Sequence, residues 1–176
     1  MEHVFGKFNY YDLFGHLLPG VIIGLLLNYL ITSITLDINI TFITDSVVFN
    51  LFIFYFIGLV LNRVSAVAIE NPLIKLNILH KSPYEHIIKA EKEDYKLVQL
   101  QAVIISYRTF IAGFSLIIFL LIILFILNIL NINTIEFFIL LFALLFLNIV
   151  FFISYKKQFN GYTKRVTYHI ENNSSH

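Results

Sequence analysis

The sequence predicts an all-α membrane protein with four transmembrane helices. Hydrophobic residues make up 59% of the chain and charged residues only 13%, whereas a soluble domain carries about a quarter charged residues. A membrane span needs about 20 mostly apolar residues. Four stretches meet this requirement, residues 17–34, 46–69, 102–130 and 134–155, and none has a charge in its middle. We therefore expect residues 1–176 to form a single membrane domain.

The distribution of Lys and Arg predicts the orientation of these spans. The segments that follow the first and third spans contain neither residue type, so all twelve basic residues fall on the other side. Cytoplasmic segments next to a membrane are enriched in Lys and Arg. The pattern predicts a multi-pass protein of the cell inner (cytoplasmic) membrane, with an N-in/C-in topology and the lipid bilayer as its first partner.

Three further segments complete the predicted organisation. Residues 1–16 are rich in aromatic side chains, which favour the headgroup layer, and we expect an interfacial segment there. Residues 70–101 are predicted to form a cytoplasmic helical segment. No Pro or Gly interrupts the chain from Pro83 to Gly113, which predicts that this segment continues unbroken into the third span. Residues 156–176 are expected to form a cytoplasmic tail helix.

Apolar residues at alternating spacings of three and four place a stripe on one side of a helix. The extension of the third span carries such a stripe at Tyr84, Ile88, Tyr95, Val98, Ala102 and Ile105. The tail carries another at Tyr155, Phe159, Tyr162, Val166 and either His169 or Ile170. These stripes predict that the tail helix packs against the extension, within one chain or between chains.

Small and polar residues recur along the first two spans. The assembly or pore stripe predicted from them comprises Gly20, Gly24, Asn28, Asn50, Gly58 and Asn62. Small residues at this spacing let helix backbones approach closely, and Asn can hydrogen-bond across the contact. One interpretation is packing, either of the two spans on each other or of separate copies. The alternative is a polar path through an oligomer.

Charged and titratable groups gather at the predicted inner ends of the spans. This inner-membrane-face polar cluster comprises Asp12, His16, Arg63, Glu70 and Arg108. An Arg near a helix end commonly extends its head to the lipid headgroups, which is the simpler interpretation. The alternative is a buried network of Arg63, Glu70 and Arg108 that senses a ligand or holds a gate.

The sequence lacks the residue patterns that several classes of enzyme require. The chain has no cysteine, and the spacings typical of metalloproteases, nucleophilic serines and nucleotide-binding glycines do not occur. We expect no enzyme activity, no catalytic residue, no metal and no cofactor. Basic residues in the middle segment alternate with acidic ones, so direct nucleic-acid binding is not expected either.

Three stretches carry a resemblance to a known group of proteins: residues 11–20 (YDLFGHLLPG), residues 62–63 with 70–73 (NR and ENPL), and residues 106–109 (SYRT). Together they resemble small multi-span membrane proteins of bacterial phage-defence loci, including the transmembrane accessory proteins of RNA-targeting CRISPR systems. The resemblance implies an oligomeric membrane effector or accessory that perturbs the envelope when a cytoplasmic partner signals infection.

Two functions therefore remain open from the sequence. The first is a homo-oligomeric membrane effector, which includes a gated channel, with cytoplasmic helices that receive a signal or a protein partner. The second is a passive membrane anchor or scaffold that recruits a soluble cytoplasmic partner.

Overall fold

The computed structural model describes residues 12–33, 43–128 and 133–173. These residues form five helices and no strand: α1 (Leu13–Thr32), α2 (Val47–Lys75), α3 (Tyr84–Glu93), α4 (Tyr95–Ile126) and α5 (Thr134–Asn173). Most of the predicted interfacial segment 1–16, the connection between the first two spans and the turn after the third span lie outside the described residues. So does the end of the tail.

Four of the helices are long and apolar enough to cross a membrane: α1, α2, α4 and α5. This confirms the all-helical class and the four candidate spans. The 40 residues of α5 correspond to roughly 60 Å at 1.5 Å per residue, about twice the thickness of a bilayer core. The second half of α5 therefore extends beyond any bilayer that its first half could cross. The inside location of both ends stays a prediction.

The long helix α4 is the centre of the bundle. It packs against α1 and α2 on one side and against α5 on the other, while α3 packs on α4 and α5. Within the described residues, α5 lies across α4 from the first two helices. Two apolar cores follow from this arrangement. One joins the apolar parts of α1, α2, α4 and α5. The other joins α3 with the ends of α4 and α5 that lie near the Lys and Arg residues, which we call the basic end of the bundle.

The predicted unbroken helix from Pro83 into the third span is wrong. The helix α3 ends at Glu93, and Asp94 has an extended backbone with φ −127° and ψ 97°. The carboxylate of Asp94 accepts a hydrogen bond from the Lys96 N–H at 2.9 Å and so caps α4. Asp favours this capping position because it satisfies an N–H that lacks a helical partner. The break lets α3 fold back onto its neighbours.

The two predicted stripes have different outcomes. The tail residues Tyr155, Phe159, Tyr162 and Val166 are all buried, with 0–7% of their surface exposed. On the other side of the contact the prediction is wrong for Tyr84, Ile88 and Tyr95, which are exposed. Their places are taken by residues one position earlier or two later in the chain, Ile87, Ala90 and Leu97. Neighbouring apolar residues allow either phase, and the break at Asp94 changes which one faces α5.

Candidate functional site

A buried arginine organises the basic end of the bundle. Arg108 lies in α4, and only 8% of its surface is exposed. Its Nε donates a hydrogen bond to the Ser65 hydroxyl at 3.0 Å, and its Nη2 donates to Asn62 Oδ1 at 2.6 Å. Its Nη1 forms an ion pair with the carboxylate of Glu70. The guanidinium thus binds three residues of α2, in agreement with the rule that buried charges are paired.

The carboxylate of Glu70 is shared between two cations. While one oxygen contacts Arg108, the other lies 3.1 Å from Lys81 Nζ. Lys81 belongs to the connection between α2 and α3, and its side chain is 56% exposed. We call Asn62, Ser65, Glu70, Lys81 and Arg108 the polar centre. It joins α2, α4 and the connection to α3 through side chains alone.

A π-helical turn places Glu70 at this position. The turn covers Ala66–Glu70, and the Asn71 N–H bonds to the Ala66 carbonyl five residues back. Pro72 lies two residues after this turn, and its ring would clash with the carbonyl four residues earlier in a regular helix. The helix α1 repeats this arrangement with a π-helical turn at Leu13–Leu17 before Pro19. Such turns occur frequently at functional sites.

The predicted five-residue cluster divides into two groups. Glu70 and Arg108 belong to the polar centre, as described. Asp12 and His16 lie instead at the start of α1 beside Tyr55 of α2, whose hydroxyl donates to the Asp12 carboxylate at 3.5 Å. The imidazole of His16 is buried, edge-on to the Tyr55 ring at a centroid distance of 5.9 Å.

The alternative of a buried network of Arg63, Glu70 and Arg108 fits Glu70 and Arg108 but not Arg63, which fits the simpler interpretation of an arginine that extends outward. Arg63 is exposed and forms no ion pair with the described residues. A separation of seven residues puts two side chains on one face only in a regular α-helix. The π-helical turn Ala66–Glu70 lies between Arg63 and Glu70, and its wider turn rotates the two side chains apart.

Lys81 and Ser65 were not among the site residues predicted from the sequence. Ser65 follows Asn62 by three residues, a spacing that places two side chains on one face of a helix, and this signal could have included Ser65. Lys81 carried no comparable signal, because its contact depends on the fold of the connection between α2 and α3.

A cleft of about 170 Å³ opens beside the polar centre. Its polar lining includes Glu70, Lys81 and Arg108 together with Gln101 of α4 and Thr163 of α5. Apolar side chains of α3, α4 and α5 form the remaining wall. The cleft therefore lies where α2, α3, α4 and α5 meet, and the carboxylate of Glu70 is reached from it.

The predicted glycine track lies inside one chain. A Cβ atom added at Gly20 would overlap the Phe54 carbonyl, and one at Gly58 would overlap the His16 carbonyl. At Gly24 it would lie 2.6 Å from the ring of Phe54. The three glycines therefore let α1 and α2 approach closely, as small residues do in membrane helix pairs. This supports the packing interpretation within one chain, so these glycines do not offer a free assembly face.

The asparagines of the same predicted stripe have separate surroundings. Asn62 belongs to the polar centre. Asn50 lies at the opposite end of α2, where its Oδ1 accepts a hydrogen bond from the Thr44 N–H at 2.9 Å. Asn28 lies in α1, and its buried Oδ1 has no hydrogen-bond partner among the described residues. The six residues thus do not form one continuous polar path in the chain.

The described residues hold no group of three His, Asp or Glu side chains arranged to bind a metal ion. No family model, no curated protein and no solved structure matches the sequence.

Proposed function

We propose that this protein is an oligomeric membrane effector in which the polar centre links cytoplasmic helices to membrane helices. The observation that carries the proposal is the shared carboxylate of Glu70. Its two oxygens contact Arg108 of the central membrane helix and Lys81 of the connection to α3. A signal that moves α3 would therefore alter the charge balance around a buried arginine.

The energetics of the polar centre make it suitable for a switch. A buried charge that loses its partner is costly, by about 3–5 kcal/mol. The arrangement in which Arg108 is paired and the one in which a partner is withdrawn therefore differ by a large free energy. A ligand or protein partner shifts the equilibrium between them if it binds one arrangement more tightly than the other. The cleft gives water or a ligand access to Glu70.

The membrane helices respond directly because α4 runs without interruption from the polar centre into the bundle. Arg108 is held by α2, and α2 contacts α1 through the glycines. Loss of the contact between Arg108 and Glu70 would loosen α2 from α4. We propose that this movement opens a path for ions between copies of the chain, since one chain holds no continuous polar stripe among its described residues.

A role in phage defence is also part of this proposal. Its support is the sequence resemblance described above, and the geometry of the polar centre is independent of it.

Ion flux through the protein in liposomes tests the effector proposal. We expect Glu70→Gln to raise the flux several-fold over the wild type, because Arg108 loses its counter-charge and the closed arrangement loses stability. The matched control is Glu85→Gln, which changes an exposed carboxylate in the first turn of α3. Equal flux for both variants and the wild type, with equal helix content, would contradict the proposal.

A passive scaffold is the second candidate, and the outer face of the tail supports it. Lys156, Lys157, Lys164 and Arg165 are exposed, whereas the inner face of the same helix is buried. Deletion of the tail would uncover that inner face, so charge reversal is the sharper test. If Lys164→Glu with Arg165→Glu abolishes recruitment of a cytoplasmic protein while Glu70→Gln has no effect on flux, the scaffold is the better account.

A further inference from the structure

An exposed polar pair lies near the middle of two candidate membrane spans. Asn148 of α5 donates a hydrogen bond from Nδ2 to the hydroxyl of Ser115 in α4 at 2.9 Å. Ser115 is exposed and Asn148 is half-buried. Each lies many residues from both ends of its apolar stretch, so both side chains belong to the depth that hydrocarbon occupies.

The pair does not satisfy its own hydrogen-bonding groups. An Asn side chain has two amide hydrogens and an oxygen, and a Ser hydroxyl both donates and accepts. The bond between them uses one amide hydrogen and one acceptor site. Among the described residues, Asn148 Oδ1 and the Ser115 hydroxyl hydrogen have no further partner. Lipid tails offer no donor or acceptor, so these groups need a partner from outside the chain.

The surroundings of the pair form a surface that a helix can cover. Leu145 and Phe152 lie beside Asn148 on the same flank of α5, with 44% and 36% of their surfaces exposed. Phe119 continues the surface on α4, four residues after Ser115, and is 60% exposed. We call Ser115, Phe119, Leu145, Asn148 and Phe152 the Asn148 face.

We infer that the Asn148 face is the surface through which two copies of this chain associate in the membrane. An Asn side chain is self-complementary, because its amide hydrogen can bind the oxygen of a second Asn while its own oxygen accepts in return. A two-fold axis beside Asn148 brings both copies to the same depth with the same residues in contact. Each copy then supplies the donor that the Asn148 oxygen of the other lacks.

The inference deepens the proposed function, since it rests on the same membrane placement and assigns the assembly surface. It also moves that surface from the first two spans to the last two. The glycines Gly20, Gly24 and Gly58 are occupied within one chain, whereas only 11% of the apolar window of α5 is buried. In α4 that share is 39%.

Disulfide cross-linking in membranes tests the inference, because the chain has no cysteine of its own. The single variants Leu145→Cys and Phe152→Cys place a thiol on the Asn148 face. The control is Val150→Cys, which lies on the opposite flank of the same helix and is 41% exposed, against 44% for Leu145. Under oxidation we expect dimers from the first two variants at a rate roughly tenfold above the control.

A second substitution separates assembly by the polar pair from chance collision. Adding Asn148→Leu to Leu145→Cys should reduce the dimer yield about tenfold, the effect of losing one interhelical contact. Equal cross-linking at residues 145 and 150, or an unchanged yield after Asn148→Leu, would overturn the inference. Flux through Glu70→Gln is measured separately, so failure of the assembly surface and failure of the proposed switch give different results.

Discussion

Polar side chains at the basic end of the bundle and in the middle of its last two spans differ in how many hydrogen-bond partners they have within the chain. At the basic end, the buried guanidinium of Arg108 is bound by Asn62, Ser65 and Glu70 of α2. In the middle of α4 and α5, the exposed pair of Asn148 and Ser115 has a single bond and groups left over. The guanidinium of Arg108 finds its partners within one chain, whereas the remaining hydrogen-bonding groups of Asn148 and Ser115 need a partner from outside it.

This difference separates two roles that the sequence could not distinguish. Polar side chains that are satisfied inside the chain hold helices together and can carry a switch between them. Polar side chains that remain unsatisfied on a lipid-facing surface favour association with another protein. The following predictions test the contrast, beginning with the largest expected effect.

Removal of the counter-charge at the polar centre should have the largest effect on stability. Glu70→Gln leaves Arg108 buried beside neutral partners, and we expect a loss of about 3–5 kcal/mol in the free energy of unfolding. Thermal or denaturant unfolding in detergent measures it. Glu85→Gln, on the exposed face of α3, should change the same quantity by less than about 1 kcal/mol. Similar losses in both variants would show that the ion pair is not buried as described.

Substitution at the close contact of α1 and α2 should cause the next largest loss in the free energy of unfolding. Gly20→Ala places a methyl group against the backbone of Phe54, and we expect a loss of about 1–3 kcal/mol as the helices separate. Gly161→Ala is the control, because a Cβ atom there meets nothing within 4 Å. That variant should gain about 1 kcal/mol from helix propensity. A neutral Gly20→Ala would contradict the packing.

The two asparagines allow a direct comparison of the two regions. Asn62→Leu removes an acceptor from Arg108, and we expect a loss of about 1–3 kcal/mol in the stability of the single chain. Asn148→Leu removes a half-buried amide with a single hydrogen bond to Ser115, so its effect on a single chain should be smaller. The same unfolding measurement, made at a dilution where copies do not associate, compares them. A larger loss for Asn148→Leu would reverse the assignment of roles.

The contact between α3 and the tail should show the smallest effect. The Tyr162 hydroxyl donates to Glu91 Oε1 at 3.0 Å, and Tyr162→Phe removes that bond alone. We expect a loss of about 0.5–1.5 kcal/mol. Tyr168→Phe is the control, because Tyr168 is 62% exposed and its hydroxyl has no partner among the described residues. Equal effects would mean that the tail does not depend on Glu91.

The sequence predicted the candidate spans and part of the polar centre, for a physical reason. A long apolar run that crosses lipid on its own must be helical, because only a helix satisfies its backbone within the segment. Charges near the ends of spans had two interpretations, and the alternative one, a buried network, included Glu70 and Arg108. The tail stripe could also be predicted from the sequence, because mostly charged or polar residues separate Tyr155, Phe159, Tyr162 and Val166.

The remaining features depend on choices that the sequence pattern leaves open. Ile87 and Ile88 are adjacent and equally apolar, so their spacing does not fix which one faces α5. The π-helical turn at Ala66–Glu70 rotates Glu70 away from Arg63, and a count of residues assumes a regular helix. Ser65 contacts Arg108, and Lys81 contacts Glu70, only once α2, α4 and the connection to α3 have come together.

The central claim is that the polar centre holds α3 and its connection against the membrane helices. A distance measured between spin labels at Val64→Cys on α2 and Lys89→Cys on α3 tests it most directly, in nanodiscs and with no other cysteine present. We predict one narrow distance distribution for the wild-type polar centre and a second, longer population when Glu70→Gln is added. An unchanged distribution in that variant would contradict the account.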